Sequence, residues 1–159
     1  MVADASPFSL FLADADETDR LGRWFAPRLG PGDCLLLEGP IGSGKSQFAR
    51  ALIQARLGRA EDVPSPTFTL VQTYHADVEI WHADLYRLSH PDEVLELGLD
   101  AAFDTAICLI EWPDRLGSHA PPQALRLCFQ AEGDGRRVVI GFGKRADLRA
   151  ALAKELADG

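Results

Sequence analysis

Asp33-Cys34-Leu35-Leu36-Leu37-Glu38-Gly39-Pro40-Ile41-Gly42-Ser43-Gly44-Lys45-Ser46-Gln47-Phe48-Ala49-Arg50-Ala51-Leu52-Ile53 decides the fold. Its first part, 33–38, is a continuous apolar run, the pattern of a strand covered on both faces. Its last part, extended to Leu57, places Phe48, Ala49, Leu52, Ile53 and Leu57 on one side of a helix that Gly58 stops. Between them, residues 39–46 match G-x-x-x-x-G-K-[ST] at every fixed position. The glycines let the backbone curl so that successive N–H groups face an anion, and the helix adds its N-terminal donors and positive dipole end. A glycine-rich turn with an incidental Lys-Ser would not need a buried strand before it and an amphipathic helix after it. The expected nucleotide-binding set is Gly39, Ile41, Gly42, Ser43 and Gly44, with Lys45, Ser46 and Gln47 at the helix start. Lys45 is expected to reach the β- and γ-phosphates and the Ser46 hydroxyl to ligate Mg²⁺.

Outward from this loop, the pattern alternates. A short strand is expected at 8–12, then a helix over 16–29 with Leu21, Trp24, Phe25 and Leu29 on one face, capped by Asp16 or Thr18 and ended early by Pro27. Beyond a loop with two prolines at 61–66, β-rich runs at 67–74 and 79–84 read as a hairpin. Residues 90–104 read as helix in pieces, and 106–110 as a buried strand ending at Glu111. Strands at 124–131 and 136–142 join through Gly133-Asp134-Gly135 as a C-terminal hairpin. A final helix over 144–157 carries Leu148, Leu152 and Leu156. The whole reads as α/β: one P-loop domain over 1–159, a mixed sheet flanked by helices with a C-terminal hairpin and helix.

Two acids end apolar strands. Ile107-Cys108-Leu109-Ile110-Glu111 is four apolar residues and a carboxylate, and His82-Ala83-Asp84 closes another strand. P-loop enzymes hold Mg²⁺ through a second carboxylate at such a position. Glu111 is the stronger metal candidate; for Asp84, a catalytic role and a solvated strand end are equally compatible with the sequence.

Bulk properties exclude other classes. The chain has 159 residues, 47% hydrophobic and 25% charged, with a formal charge of −8. That balance argues against independent tight binding to nucleic acid. No run has the length of a membrane span, and the first residues lack a secretory pattern, so a cytoplasmic protein is expected. The three cysteines, Cys34, Cys108 and Cys128, lie in apolar runs and read as reduced and buried; the four histidines are scattered and suggest no zinc site.

The motifs together resemble the TsaE family, the ATPase component of bacterial tRNA threonylcarbamoyladenosine synthesis. The resemblance runs from the Glu17-Thr18 helix start and the loop through Ser65-Pro66-Thr67-Phe68-Thr69-Leu70-Val71. It continues through His82-Ala83-Asp84-Leu85-Tyr86-Arg87 and Glu96-Leu97-Gly98 to the ICLIEWP run that ends at Pro113. It implies ATP, Mg²⁺ and partner subunits of the TsaD and TsaB type that install a threonylcarbamoyl group on the adenosine beside the anticodon, with tRNA met only indirectly. It places Ser46 and Glu111 on the metal, makes Asp84 functionally important, sets Thr67 and Trp112 near the nucleotide and Thr18 near the base. The chain departs from the family at Pro40-Ile41, where Asp-Leu is usual, at Ser46 for Thr, and at Ala83 for Phe. The competing reading is a small-molecule P-loop phosphotransferase, which needs an arginine-bearing lid and an acceptor pocket. A regulatory GTP-binding module would carry N-K-x-D, absent from this sequence.

Overall fold

The computed structural model describes residues 8–58 and 70–158. The run 33–38 gives β2 (Cys34–Glu38), and its alternation divides two cores. Leu35 and Leu37 enter one cluster with Phe25, Phe48 and Leu52, while Cys34 and Leu36 enter the other with Leu85, Val94 and Leu99. A strand apolar from Cys34 to Leu37 is thereby buried on both faces, as parallel strands in α/β sheets are.

Among the described residues, seven strands form one sheet. They are β1 (Phe8–Leu12), β2, β3 (Val71–His75), β4 (Glu79–Asp84), β5 (Ile107–Glu111), β6 (Leu125–Glu132) and β7 (Gly135–Gly141), in the order β1-β7-β6-β2-β5-β4-β3. The central strands β6, β2, β5 and β4 are parallel. β3, β7 and β1 extend the sheet antiparallel at its flanks. The hairpin expected at 67–84 is β3–β4 where described; its residues 67–69 lie outside the described residues. The C-terminal hairpin turns at Gly133-Asp134 as expected.

Helix α1 (Ala15–Phe25) packs with α2 (Lys45–Leu57) on one face. The N-cap of α1 is Asp14, not Asp16 or Thr18: its carboxylate accepts from Glu17 N at 3.0 Å, and Glu17 Oε2 accepts from Ala13 N at 2.8 Å. Asp14 has the extended backbone a cap requires, whereas Asp16 and Thr18 are already helical. Pro27 converts the end to a 3-10 turn, Ala26–Arg28. The helical pieces at 90–104 are α3 (Glu93–Leu97) and α4 (Leu99–Thr105), on the opposite face and broken by Gly98 at φ 82°. Helix α5 (Ala146–Asp158) closes the first core through Leu148 and Leu152. No helix among the described residues is long and apolar enough to cross a membrane.

Cys34 and Cys108 are buried free thiols, directly opposite each other on β2 and β5. Burial pushes the Cys108 thiol up to about 12. Cys128 differs from expectation: it is only partly buried, at the end of β2–β6 pairing, with Sγ 2.8 Å from Glu38 Oε2.

Candidate functional site

The parallel strands all end at one edge, and that edge carries the site. Glu38 leads directly into the loop, Asp84 ends β4 and Glu111 ends β5, with Asp84 and Glu111 paired in register. Open α/β sheets place ligands at this carboxyl edge. A cleft of about 350 Å³ opens there. The loop residues Ile41, Gly42 and Gly44, the helix-start residues Lys45, Ser46 and Gln47, and Asp84, Glu111 and Trp112 line it, joined by Arg136.

Three loop glycines take left-handed backbone: Gly39 at φ 141°, Gly42 at 80° and Gly44 at 110°. A Cβ on Gly39 would lie 2.5 Å from Phe129 O and 2.8 Å from Ser43 Oγ, so a side chain there is excluded on two grounds. Ser43 Oγ itself is buried with no partner among the described residues. Ile41 is 79% exposed at the loop tip.

Ser46 and Glu111 meet at the floor. Ser46 Oγ donates to Glu111 Oε1 at 2.9 Å and lies 3.2 Å from Oε2. His82 Nε2 is 2.6 Å from Glu111 Oε2, both side chains being buried. His82 Nδ1 has no partner among the described residues. A proton on Nδ1 would be a buried donor without an acceptor, so the ring's proton belongs on Nε2, where it donates to Glu111. Glu111 is thus aimed by a residue one strand away, which sequence reading had left among the scattered histidines. The signal was the His82-x-Asp84 spacing: residues i and i+2 of a strand share a face.

Lys45 Nζ donates to Gly39 O at 2.6 Å and stands 3.6 Å above the Trp112 ring. Burial draws the Lys45 ammonium below its ordinary value, opposed by the nearby carboxylates of Glu111 and Asp84. Trp112 is the one non-glycine residue with positive φ among the described residues, at φ 59° and ψ 53°. This left-handed turn, costing about 1–2 kcal/mol, brings the ring back over the loop immediately after β5. Tyr86 packs against the same ring at 5.0 Å between centroids.

Of the expected residues, Gly39 and Ser43 lie behind the cleft lining, Thr18 sits elsewhere, and Gln47 is already engaged. Thr18 is fully buried in the first turn of α1, its hydroxyl 3.5 Å from Asp14 O, and it does not line the cleft. Gln47 lines the cleft, but its amide donates to Ala15 O and Asp19 Oδ1, each at 3.2 Å, tying α2 to α1. Thr67 and its Ser65-Pro66 neighbours lie outside the described residues. Among the described residues no cluster of three His, Cys, Asp or Glu side chains forms a metal cage.

Asp84 is half-buried, and its Oδ1 accepts from Tyr86 N at 3.0 Å. Burial raises its carboxyl above the usual value, and Glu111 raises it further. A folded-state value above the unfolded one means that the stabilising difference is complete below about pH 4 and is lost as pH rises through the raised value. At neutral pH, ionised Asp84 therefore weighs against the fold. Asp84→Asn preserves the acceptor for Tyr86 N and removes that burden. We expect a melting temperature at pH 7 equal to or above that of the unaltered chain, the difference disappearing near pH 4. A variant that melts clearly lower at pH 7 would show that the carboxylate supports the fold.

The family model described as "Threonylcarbamoyl adenosine biosynthesis protein TsaE" matches residues 12–139. The protein of that name from Bacillus subtilis is 35% identical over 145 residues, covering 89% of this chain and 88% of its own. The one from Rickettsia felis is 35% identical over 130 residues, covering 81% and 76%. The crystal structure of Bacillus subtilis YdiB superposes with a TM-score of 0.76 at 27% identity, over 96% of this chain and 95% of that one. With the loop, the paired strand-end carboxylates and the mixed sheet all in place, these matches show that the chain belongs to the TsaE family of threonylcarbamoyl adenosine biosynthesis proteins.

Proposed function

We propose that this chain binds and slowly hydrolyses ATP with Mg²⁺, and that it serves threonylcarbamoyl modification of the adenosine next to the tRNA anticodon through a partner complex of TsaD- and TsaB-type subunits. The observation that carries the reading is the convergence of Lys45, Ser46 and Glu111 at the mouth of a loop whose buried Ser43 Oγ has no partner among the described residues. A phosphate seated in the loop would meet the backbone N–H groups of the loop and of the helix start.

The donor set fits Mg²⁺. Mg²⁺ takes hard oxygen ligands, uses one or two protein groups and completes its shell with water and phosphate oxygens. The Ser46 hydroxyl and the Glu111 carboxylate are such a pair, and a full protein cage is not required. When bound, the ion supplies charge neutralisation across the β- and γ-phosphates.

The chain's own residues then divide the work. Lys45 leaves the Gly39 carbonyl for the β- and γ-phosphates. His82 keeps the Glu111 carboxylate turned toward Ser46. Asp84, with its raised carboxyl, orients the attacking water and takes its proton as the water oxygen bonds to the γ-phosphorus and the bond to the β–γ bridging oxygen breaks, releasing ADP. Trp112 excludes solvent beside Lys45. The proposed unit is one domain over 1–159, acting in the cytoplasm. Thr67 remains a proposed nucleotide neighbour.

Partner dependence is the test. Asp84 and Glu111 give the isolated chain a metal and water site, but no arginine-bearing lid closes over the metal side of the cleft among the described residues. Arginine supplied in trans accelerates GTPases by about 10³–10⁵. Phosphate release from ATP should be slow for the chain alone and rise at least about tenfold with reconstituted TsaD- and TsaB-type proteins. Fast turnover that ignores the partners and passes phosphate to an added acceptor would favour the phosphotransferase.

A further inference from the structure

Arg136 was not singled out by any motif, yet it stands at the cleft. The chain reaches it through topology. β6 runs parallel to β2 and β7 returns antiparallel, so the turn at Gly133-Asp134 lies at the same sheet edge as the phosphate loop. Arg136 is the second residue of β7 and pairs with Leu12 on β1, whose chain leads into α1. Its neighbour Arg137, on the opposite face, is committed to Glu132 and Ser9. Arg136 has no hydrogen-bond or ion-pair partner among the described residues.

The guanidinium lies directly over Gly44. A Cβ on Gly44 would overlap Arg136 Nη1 and sit 3.1 Å from Cδ and Cζ. The absence of a side chain at Gly44 therefore serves the loop's backbone at φ 110° and also admits this cation. Asp84 and Glu111 stand on β4 and β5, on the other side of β2 from β6 and β7. Among the described residues, Lys45 and Arg136 are the cations that line the cleft.

We infer that Arg136 is a phosphate ligand in cis, contacting the part of the phosphate chain that ATP and ADP share. The inference rests on the nucleotide reading above. Ser46 and Glu111 would hold Mg²⁺, whose charge would serve the γ end of the phosphate chain, so that end belongs on their side of the cleft. A cation across the loop from those carboxylates then faces the α- and β-phosphates. Guanidinium suits the task, being permanently charged with several donors in a planar fork.

The test is calorimetric titration of the full chain with MgATP and MgADP, comparing Arg136 with Arg136→Ala, Arg136→Gln and Arg136→Lys, with a thermal melt on each. Arg136 is partly exposed and unpaired, so the melts should coincide. Arg136→Ala and Arg136→Gln should weaken both nucleotides by the same factor, about tenfold to hundredfold, the size of a lost charge-assisted hydrogen bond. Arg136→Lys should fall between. Unchanged affinities would overturn the inference. Full affinity in Arg136→Gln would overturn it by showing that charge is not used, and a loss confined to ATP would overturn the placement by moving the group to the γ-phosphate. If the unaltered chain binds neither nucleotide, the nucleotide reading fails and this role with it. If it binds and the variants do not differ, only the role of Arg136 fails.

Discussion

Lys45→Ala should abolish measurable ATP binding. Among the described residues, Lys45 Nζ has one hydrogen bond, to Gly39 O, and a cation–π contact with Trp112. Both are contacts a phosphate can outcompete, since charge-assisted hydrogen bonds to phosphate are about twice as strong as neutral ones. Removing the ammonium leaves the β- and γ-phosphates facing Asp84 and Glu111 with too little compensating charge. At about 1.5–3 kcal/mol for each charged hydrogen bond, loss of two costs roughly 10²–10⁴ in affinity. The fold should not suffer, because burial already depresses this ammonium. Calorimetry of the variant with ATP measures the loss, and a wild-type dissociation constant would remove the loop from the site.

Glu111→Gln should separate binding from hydrolysis. The carboxylate accepts from His82 on Oε2 and from Ser46 on Oε1. Glutamine can keep the first bond through its carbonyl and turn its NH₂ toward Ser46 Oγ, so the strand end keeps its shape. It loses the charge that would hold Mg²⁺. Disrupting groups that merely support a metal ligand costs about 10–100-fold, so replacing the ligand itself should lower Mg²⁺-dependent phosphate release by about 100-fold or more. ATP binding without Mg²⁺ should be preserved. Unchanged hydrolysis would make Glu111 structural and transfer the metal role to Asp84.

The loop and the strands around it were legible because local chemistry decides them. A β2 apolar from Cys34 to Leu37, glycines where φ is positive and an amphipathic α2 agree at every level. Glu111 was legible for the same reason, as a charge ending a buried run. His82 and Arg136 were not, because their meaning comes from pairing across the sheet. His82 gains its role by standing one strand from Glu111, and Arg136 by a hairpin that returns β7 to the loop's edge. Thr18 and the α1 cap show the complementary limit. Three acids and a threonine in five residues, from Asp14 to Thr18, offered several caps, and only the observed Asp14 geometry chooses between them. Cys128 lies in an apolar run on paper, but its strand runs past the end of β2, where cover thins.

The central claim is that this cleft takes one nucleotide through Lys45 and one Mg²⁺ through Ser46 and Glu111. Calorimetric titration of the chain with ATP, with and without Mg²⁺, measures it most directly. The expected result is one ATP per chain, bound more tightly with Mg²⁺, with the Mg²⁺ gain absent in Glu111→Gln. No saturable heat with ATP, or a Mg²⁺ gain that persists in Glu111→Gln, would contradict it.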